Sequence, residues 1–313
     1  MLKNTFLLLT CFCLGFFTKI FSENTKIPSL SNTLITDEKA FSIKKKSEHI
    51  PFYVQDRDNK LLGVIHKPIC DTNNPSKFPV IIFCHGLKDS KYGRLGSFIR
   101  LAEKITASGF IVIRFDFQGC GDSEGCWSHN LISDFDKNFE CILDYVLKLP
   151  FVEKDKVGIF GHSLGCHTAI IGAAKHPCIK TTVLWAPIAN GCLWGYDFLE
   201  RFNPNNNIYS MLTLPADAEA THFRHAFSAE FLAIEDAAAL KHLPTHFSVL
   251  HIHGIDDYVT PFHHQSIFSY ENMHSQRKIK YTSLKNTQHA LSECSELSEI
   301  ENSIINWFQE ELK

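Results

Sequence analysis

From residue 50 onward, apolar positions fall into short uninterrupted runs, separated by longer stretches with helical spacing. Ile50 to Gln55 and Leu61 to His66 alternate and predict a hairpin across the turn-forming Asp56-Arg57-Asp58-Asn59. Six further runs read as strands: Pro79 to Cys84, Phe110 to Phe115, Lys156 to Phe160, Thr182 to Trp185, His246 to Ile252 and Ile279 to Ser283. Helical spacing covers Arg94 to Ser108, which stops at Gly109, and Leu131 to Leu149, which stops at Pro150. It recurs over Leu164 to Lys175 and over Leu297 to Glu311. Continuous β-branched runs alternating with helices imply a mostly parallel, doubly wound sheet covered on both faces, an α/β fold.

The rhythm breaks once. Between 187 and 243 no strand pattern occurs, yet Trp194, Tyr196, Phe198, Phe202, Tyr209, Phe223, Phe227 and Phe231 crowd there. So many aromatics argue against disorder, and a structureless loop of that length is improbable. The segment reads as an inserted cap of short helices over an apolar pocket. The domain itself is expected over 50–313, after a polar lead-in at 23–49. Residues 1–22 differ again: Lys3 precedes a 13-residue uncharged stretch from Thr5 to Phe17. A bilayer-crossing helix needs about 20 apolar residues, so this one suits a signal peptide better than an anchor. Export or membrane anchoring is the expectation, and membrane contact is expected only through that segment.

Cysteine content pulls against an oxidising destination. Nine of the 11 cysteines lie beyond the leader, an odd number without a framework. Only Cys120 and Cys126, on one glycine-rich loop, are placed for a local bridge. Lysine and arginine total 31 against 34 aspartate and glutamate, a net charge of −3, so nothing draws the chain to nucleic acid. No CxxC pair is present, and no metal or cofactor is called for.

The chemistry lies at the ends of these strands. Gly161-His162-Ser163-Leu164-Gly165 follows one strand and opens a helix, as a nucleophile elbow requires. The turn is tight enough that side chains at 161 and 165 would clash, which accounts for the glycines. The N–H of Leu164 is one candidate oxyanion donor. His85-Gly86-Leu87 follows the strand ending at Cys84, and the N–H of Leu87 is the second. His253-Gly254-Ile255-Asp256-Asp257 offers the acid, with Asp257 favoured and Asp256 in reserve. Asn286-Thr287-Gln288-His289-Ala290 supplies a base, His289. In the order Ser163, Asp257, His289, the base takes the serine proton and the acid holds the imidazole tautomer.

Taken together, these residues resemble the α/β-hydrolase superfamily, in particular bacterial feruloyl (cinnamoyl) esterases and monoacylglycerol lipase-type serine hydrolases. The resemblance covers roughly 50–311. It rests on His85-Gly86-Leu87, the stretch from Arg114 to Gly125, the elbow, the 253–257 motif and the Gln288-His289 loop. It implies a small-molecule carboxylic ester as substrate, an acyl-enzyme at Ser163, and a structural role for Asp116, Asp122 and Ser123. Gln288 departs from the glycine that such proteins more often carry before the histidine. A prolyl-oligopeptidase-type peptidase or amidase would use the same triad, and a catalytically silent binding protein on this fold is the rival from another class. Acyl preference and oligomeric state are not legible.

Other residues read more simply. His162 is expected to point away and support its turn. His251 and His253 share a strand face as a metal pair would, but without a third ligand placed nearby. His263-His264 opens a helix and is expected to be solvated, and Phe135 and Phe139 are core.

Overall fold

The computed structural model describes residues 47–69, 77–202 and 225–313. The leader, most of the lead-in, Cys70 and the middle of the proposed cap therefore lie outside the described residues. Eight strands form one sheet in the order β1-β2-β4-β3-β5-β6-β7-β8. β1 (Ser47–Asp56) and β2 (Asn59–Pro68) are an antiparallel hairpin, longer at both ends than expected, so the lead-in gives up its last three residues to β1. β2 also runs antiparallel to β4 (Ile111–Phe115). From β4 through β3 (Phe78–Cys84), β5 (Val152–His162), β6 (Ile179–Trp185), β7 (Ser248–Gly254) and β8 (Ile279–Leu284) every neighbour is parallel.

Period-two alternation divides the core into two layers. On β3, Val80, Ile82 and Cys84 face one cluster while Ile81 and Phe83 face the other. The first cluster takes in α2 (Ile132–Val146) and α3 (Gly165–Lys175). The second is covered by α1 (Ser97–Ala107) and α8 (Leu297–Leu312). Phe135 and Phe139 on α2 are buried in the first layer.

Between β6 and β7 the described residues form helices only: α4 (Gly191–Phe202), α5 (His225–Leu232) and α6 (Asp236–Lys241). Trp194 packs against Phe198 and Phe231, and Phe227 and Phe231 are buried in the α2/α3 layer, so these rings fasten the segment to the sheet. Tyr196 stands exposed. α7 (His263–Glu271) follows the loop after β7. All eight described cysteines are free thiols, Cys120 and Cys126 among them, with Cys120 buried and Cys126 exposed. The bridge that their loop allowed is not formed. No helix among the described residues is long and apolar enough to cross a membrane.

Candidate active site

β5 delivers its chain directly into the elbow. Ser163 has φ of 53°, a left-handed conformation that costs a non-glycine residue energy and is held here by its surroundings. Its N–H donates to Trp185 O at 2.9 Å, and its carbonyl accepts from Cys166 N–H at 2.9 Å. The glycines serve a closer fit than the sequence suggests. A Cβ on Gly161 would lie 2.9 Å from Gly165 O and 2.8 Å from the Cys166 Cα. A Cβ on Gly165 would lie 2.1 Å from Cys84 O, so it is the end of β3, not position 161, that demands glycine there. Gly86 approaches from the other side: a Cβ would stand 3.1 Å from the Ser163 Cβ and 3.3 Å from the His162 ring.

The two candidate oxyanion amides flank this contact. Leu87 follows Gly86 in a turn closed by Asp89 N–H to Gly86 O at 3.2 Å, and Leu164 follows Ser163 at the start of α3. Among the described residues neither N–H donates a hydrogen bond within the protein, so both are available to an incoming oxygen.

Asp257 and His289 meet across the loops that follow β7 and β8, with His289 Nδ1 2.8 Å from Asp257 Oδ2. The other carboxylate oxygen accepts the N–H groups of Val259 and Thr260, each at 2.8 Å. Burial by itself would raise the Asp257 pKa, but the His289 hydrogen bond and charge, with the Thr260 amide, outweigh it and hold the carboxyl below its usual range. An ionised carboxylate can only accept, so Nδ1 of His289 carries a hydrogen, and in the neutral ring Nε2 keeps its lone pair. Asp256 is exposed, and its N–H donates to Thr287 O at 3.2 Å, tying the acid loop to the base loop. Among the described residues the Ser163 hydroxyl makes no hydrogen bond. Such contacts often close only when substrate is seated.

Two residues that sequence reasoning did not assign hold the base loop. Trp185 Nε1 donates to His289 O at 2.8 Å, and His162 Nε2 lies 3.2 Å from the same oxygen. The His162 ring sits 5.0 Å from that of His289. His162 therefore does more than support its own turn: it links the elbow to the base. Burial, reinforced by the neighbouring His289, pushes its pKa down to about 3, so it acts as a neutral donor. Nothing in the local sequence signals either contact, because both partners are brought together only by sheet order.

The loop from Asp116 to Ser123 is knitted internally and to its neighbours. Asp116 Oδ1 accepts Lys91 N–H at 2.6 Å, Asp116 Oδ2 accepts Asp122 N–H at 2.8 Å, and Ser123 Oγ donates to Asp116 O at 2.7 Å. The Asp116 carboxylate is thus occupied in holding the Lys91 turn, and Ser123 Oγ accepts the N–H of Leu62 on β2 at 2.8 Å.

One of the histidines expected to be solvated is buried instead. His264 is fully buried, not solvated, while His263 is exposed. His263 Nε2 and His264 Nε2 face Asp197 Oδ2 on α4 at 2.9 and 3.3 Å. His49, His66 and Glu103 form a second such group, and each of the two brings three possible metal ligands within 4.8 Å of one another. Their donors argue against a cation. His264 Nδ1 accepts Ala189 N–H at 3.0 Å, and His66 Nε2 accepts the Arg114 Nε–H at 2.9 Å. In a neutral ring the nitrogen facing each carboxylate is then the protonated one and has no lone pair to give. His251 and His253 likewise face each other, Nε2 to Nδ1 at 3.3 Å, with His253 Nε2 donating to Thr260 O at 2.8 Å. They brace the acid loop.

Comparison with known proteins places the chain among proteins of this fold. Residues 75–200 match the family described as serine aminopeptidase, S33. A 31.7 kDa protein from the traX–finO intergenic region of Escherichia coli is 28% identical over 115 residues, which is 37% of this chain and 39% of that protein. Among solved structures, Est1E from Butyrivibrio proteoclasticus with bound ferulic acid superposes with a TM-score of 0.67 at 22% identity, covering 83% of this chain and 98% of that one. The acylaminoacyl peptidase of Pyrococcus horikoshii gives 0.67 at 17% identity, covering 86% of this chain and 42% of the peptidase.

Proposed function

We propose, for a chain that has the α/β-hydrolase fold, a serine hydrolase that cleaves a small carboxylic ester through an acyl-enzyme on Ser163. The observation that carries this is the 2.8 Å bond from His289 Nδ1 to Asp257 Oδ2, which leaves Nε2 as the basic nitrogen beside the elbow. In the proposed reaction, substrate binding brings Ser163 Oγ and His289 Nε2 together. The imidazole takes the hydroxyl proton as oxygen attacks the ester carbonyl, and the N–H groups of Leu87 and Leu164 receive the oxyanion. Collapse expels the alcohol, protonated by His289, and leaves the acyl group on Ser163. Water, deprotonated by the same histidine, then releases the acid. Asp257 stays ionised throughout and stabilises the imidazolium. These steps require neither a metal nor an organic cofactor. Ferulic acid bound to the structurally similar Est1E favours an ester substrate.

The matched serine aminopeptidase description and the likeness to a peptidase favour a second reading, amide or peptide cleavage by the same residues. A fluorophosphonate probe tests the shared core: Ser163 becomes labelled, and the Ser163→Ala variant does not. Absence of label on the native chain would favour the silent binding protein. A panel of p-nitrophenyl esters and aminoacyl anilides then separates esterase from peptidase, with esters expected to turn over faster. We further read residues 1–22 as an export signal or anchor, checked by the N-terminus of the mature protein after expression in its host.

A further inference from the structure

The acyl-transfer reading leaves open what aims the Leu87 N–H. Its neighbour His85 is 1% exposed and sits edge-on to Phe117, with ring centres 4.8 Å apart. The backbone N–H of Phe117 donates to His85 Nε2 at 3.1 Å, so that nitrogen carries a lone pair. In a neutral imidazole the hydrogen must then be on Nδ1, and Nδ1 lies 2.8 Å from Gly86 O. The Gly86 carbonyl thus accepts two hydrogen bonds, from His85 Nδ1–H and from the Asp89 N–H. A trans peptide is planar, and its C=O and N–H point in opposite directions. Holding the Gly86 oxygen toward His85 therefore turns the Leu87 N–H away from His85, in a turn whose Gly86 lies against the elbow, where an added Cβ would stand 3.1 Å from the Ser163 Cβ.

We infer that His85 is a positioning residue for the oxyanion hole, setting the Gly86–Leu87 peptide plane so that the Leu87 N–H is presented before substrate arrives. This rests on the acyl-transfer reading above. The role needs a donor at one end of a small flat side chain and an acceptor at the other, which neutral imidazole provides. Burial keeps the ring neutral by holding its pKa below the ordinary histidine value, although the bond to Gly86 O works against this. Protonation would set Nε2–H against the Phe117 N–H, donor against donor.

Two amides divide the ring's two functions. In His85→Asn the side-chain NH2 stands where Nδ1 stood and can still donate to Gly86 O. In His85→Gln the longer chain places its amide near the Nε2 position, keeping the Phe117 contact and losing the Gly86 one. His85→Leu removes both. The expected result is that Leu and Gln lower kcat on a p-nitrophenyl ester by about 10²–10³-fold, the usual cost of one misdirected oxyanion donor. KM should change little, and Asn should recover most of the rate. Affinity for a trifluoromethyl ketone, whose adduct places an oxyanion in the hole, should fall in parallel with kcat/KM across the series. A Gln variant as active as Asn, or a Leu variant with native kcat, would overturn the inference. The Asn–Gln contrast still decides if the Leu variant fails to fold. Crystal structures of the variants give a readout independent of turnover: the Gly86–Leu87 peptide should rotate in Gln and not in Asn, and an unrotated peptide in Gln refutes the proposal. Failure of the native chain to hydrolyse any ester or amide would count against the proposed function instead, with the peptide orientation still decided by those structures.

Discussion

The two halves of the site are built by different means. Around Ser163 the backbone itself is packed: β3, the elbow and the Gly86 turn approach so closely that added Cβ atoms would lie 2.1 to 3.1 Å from their nearest neighbours at Gly165, Gly161 and Gly86. Around Asp257 and His289 the backbones also meet closely at one point, where a Cβ on Gly254 would lie 2.2 Å from Thr287 O, but the two side chains are held by polar bonds: two amides on one carboxylate oxygen, an imidazole on the other, and two side chains on the His289 carbonyl. The nucleophile should therefore be sensitive to added volume on every side, and the Asp257 and His289 side chains to hydrogen-bonding character. Repulsion between overlapping atoms is steep and local, whereas a hydrogen bond depends on which partner carries the proton.

The sharpest way to break this contrast is an isosteric change on the acid–base side. Asp257→Asn preserves shape but frees His289 to adopt the other tautomer, and kcat should fall on the order of 10⁴-fold, as for the equivalent change in a classic serine protease. Exposed Asp256→Asn should stay near native. A steady-state comparison of the two settles which carboxylate serves, and equal losses would contradict the assignment. Next comes a change of volume alone. Gly86→Ala adds one methyl facing Ser163 and His162 and should cost about 10²–10³-fold in kcat by displacing the oxyanion turn. An alanine at a roomy position such as the exposed Gln288 should cost little, and full activity of Gly86→Ala would show that the nucleophile half yields.

A further effect concerns stability and joins the halves. Burial lowers the pKa of His66 to about 4, and of His162 and His264 to about 3. A histidine in the unfolded chain titrates near about 6.5. Below that pH the unfolded chain takes up protons that the folded chain refuses. The contribution is therefore complete above about pH 6.5 and is lost as pH falls toward the folded values, each site adding about 1.4 kcal/mol per pH unit of slope. Chemical denaturation at pH 7, 6 and 5 should show stability falling steeply. In His162→Phe, which keeps the ring volume, that slope should be smaller by about 1.4 kcal/mol per pH unit. An unchanged slope would mean that His162 is protonated in the fold.

Trp185→Phe offers a finer probe of the acid–base half. It retains packing and removes one of two donors to His289 O, so a loss of about tenfold or less is expected from a hydrogen bond of roughly 1 kcal/mol.

Much of this was legible in the chain, because the signals are local. Strand and helix identity follow from the spacing of apolar residues. The elbow announces itself by glycines on either side of Ser163 at the junction of a strand and a helix, and His289 follows the last strand. Asp257 could be preferred over Asp256, but only the packed loop buries one and exposes the other. His264 is adjacent to His263 in sequence, yet it turns inward because α7 closes against the sheet and α4, and no pattern in two consecutive histidines tells them apart.

What the sequence by itself determined is the list of strands and helices and the order in which chemical groups appear along them. Both depend on contacts within about a dozen residues of chain. Tertiary structure alone decided which groups touch: β5 lies between β3 and β6, so the elbow is pressed against Cys84 and within reach of Trp185, and the loop after β8 folds back over His162. Proton positions on His85, His162 and His289 are settled by those contacts, since an imidazole takes its tautomer from the partners that the fold brings to its two nitrogens.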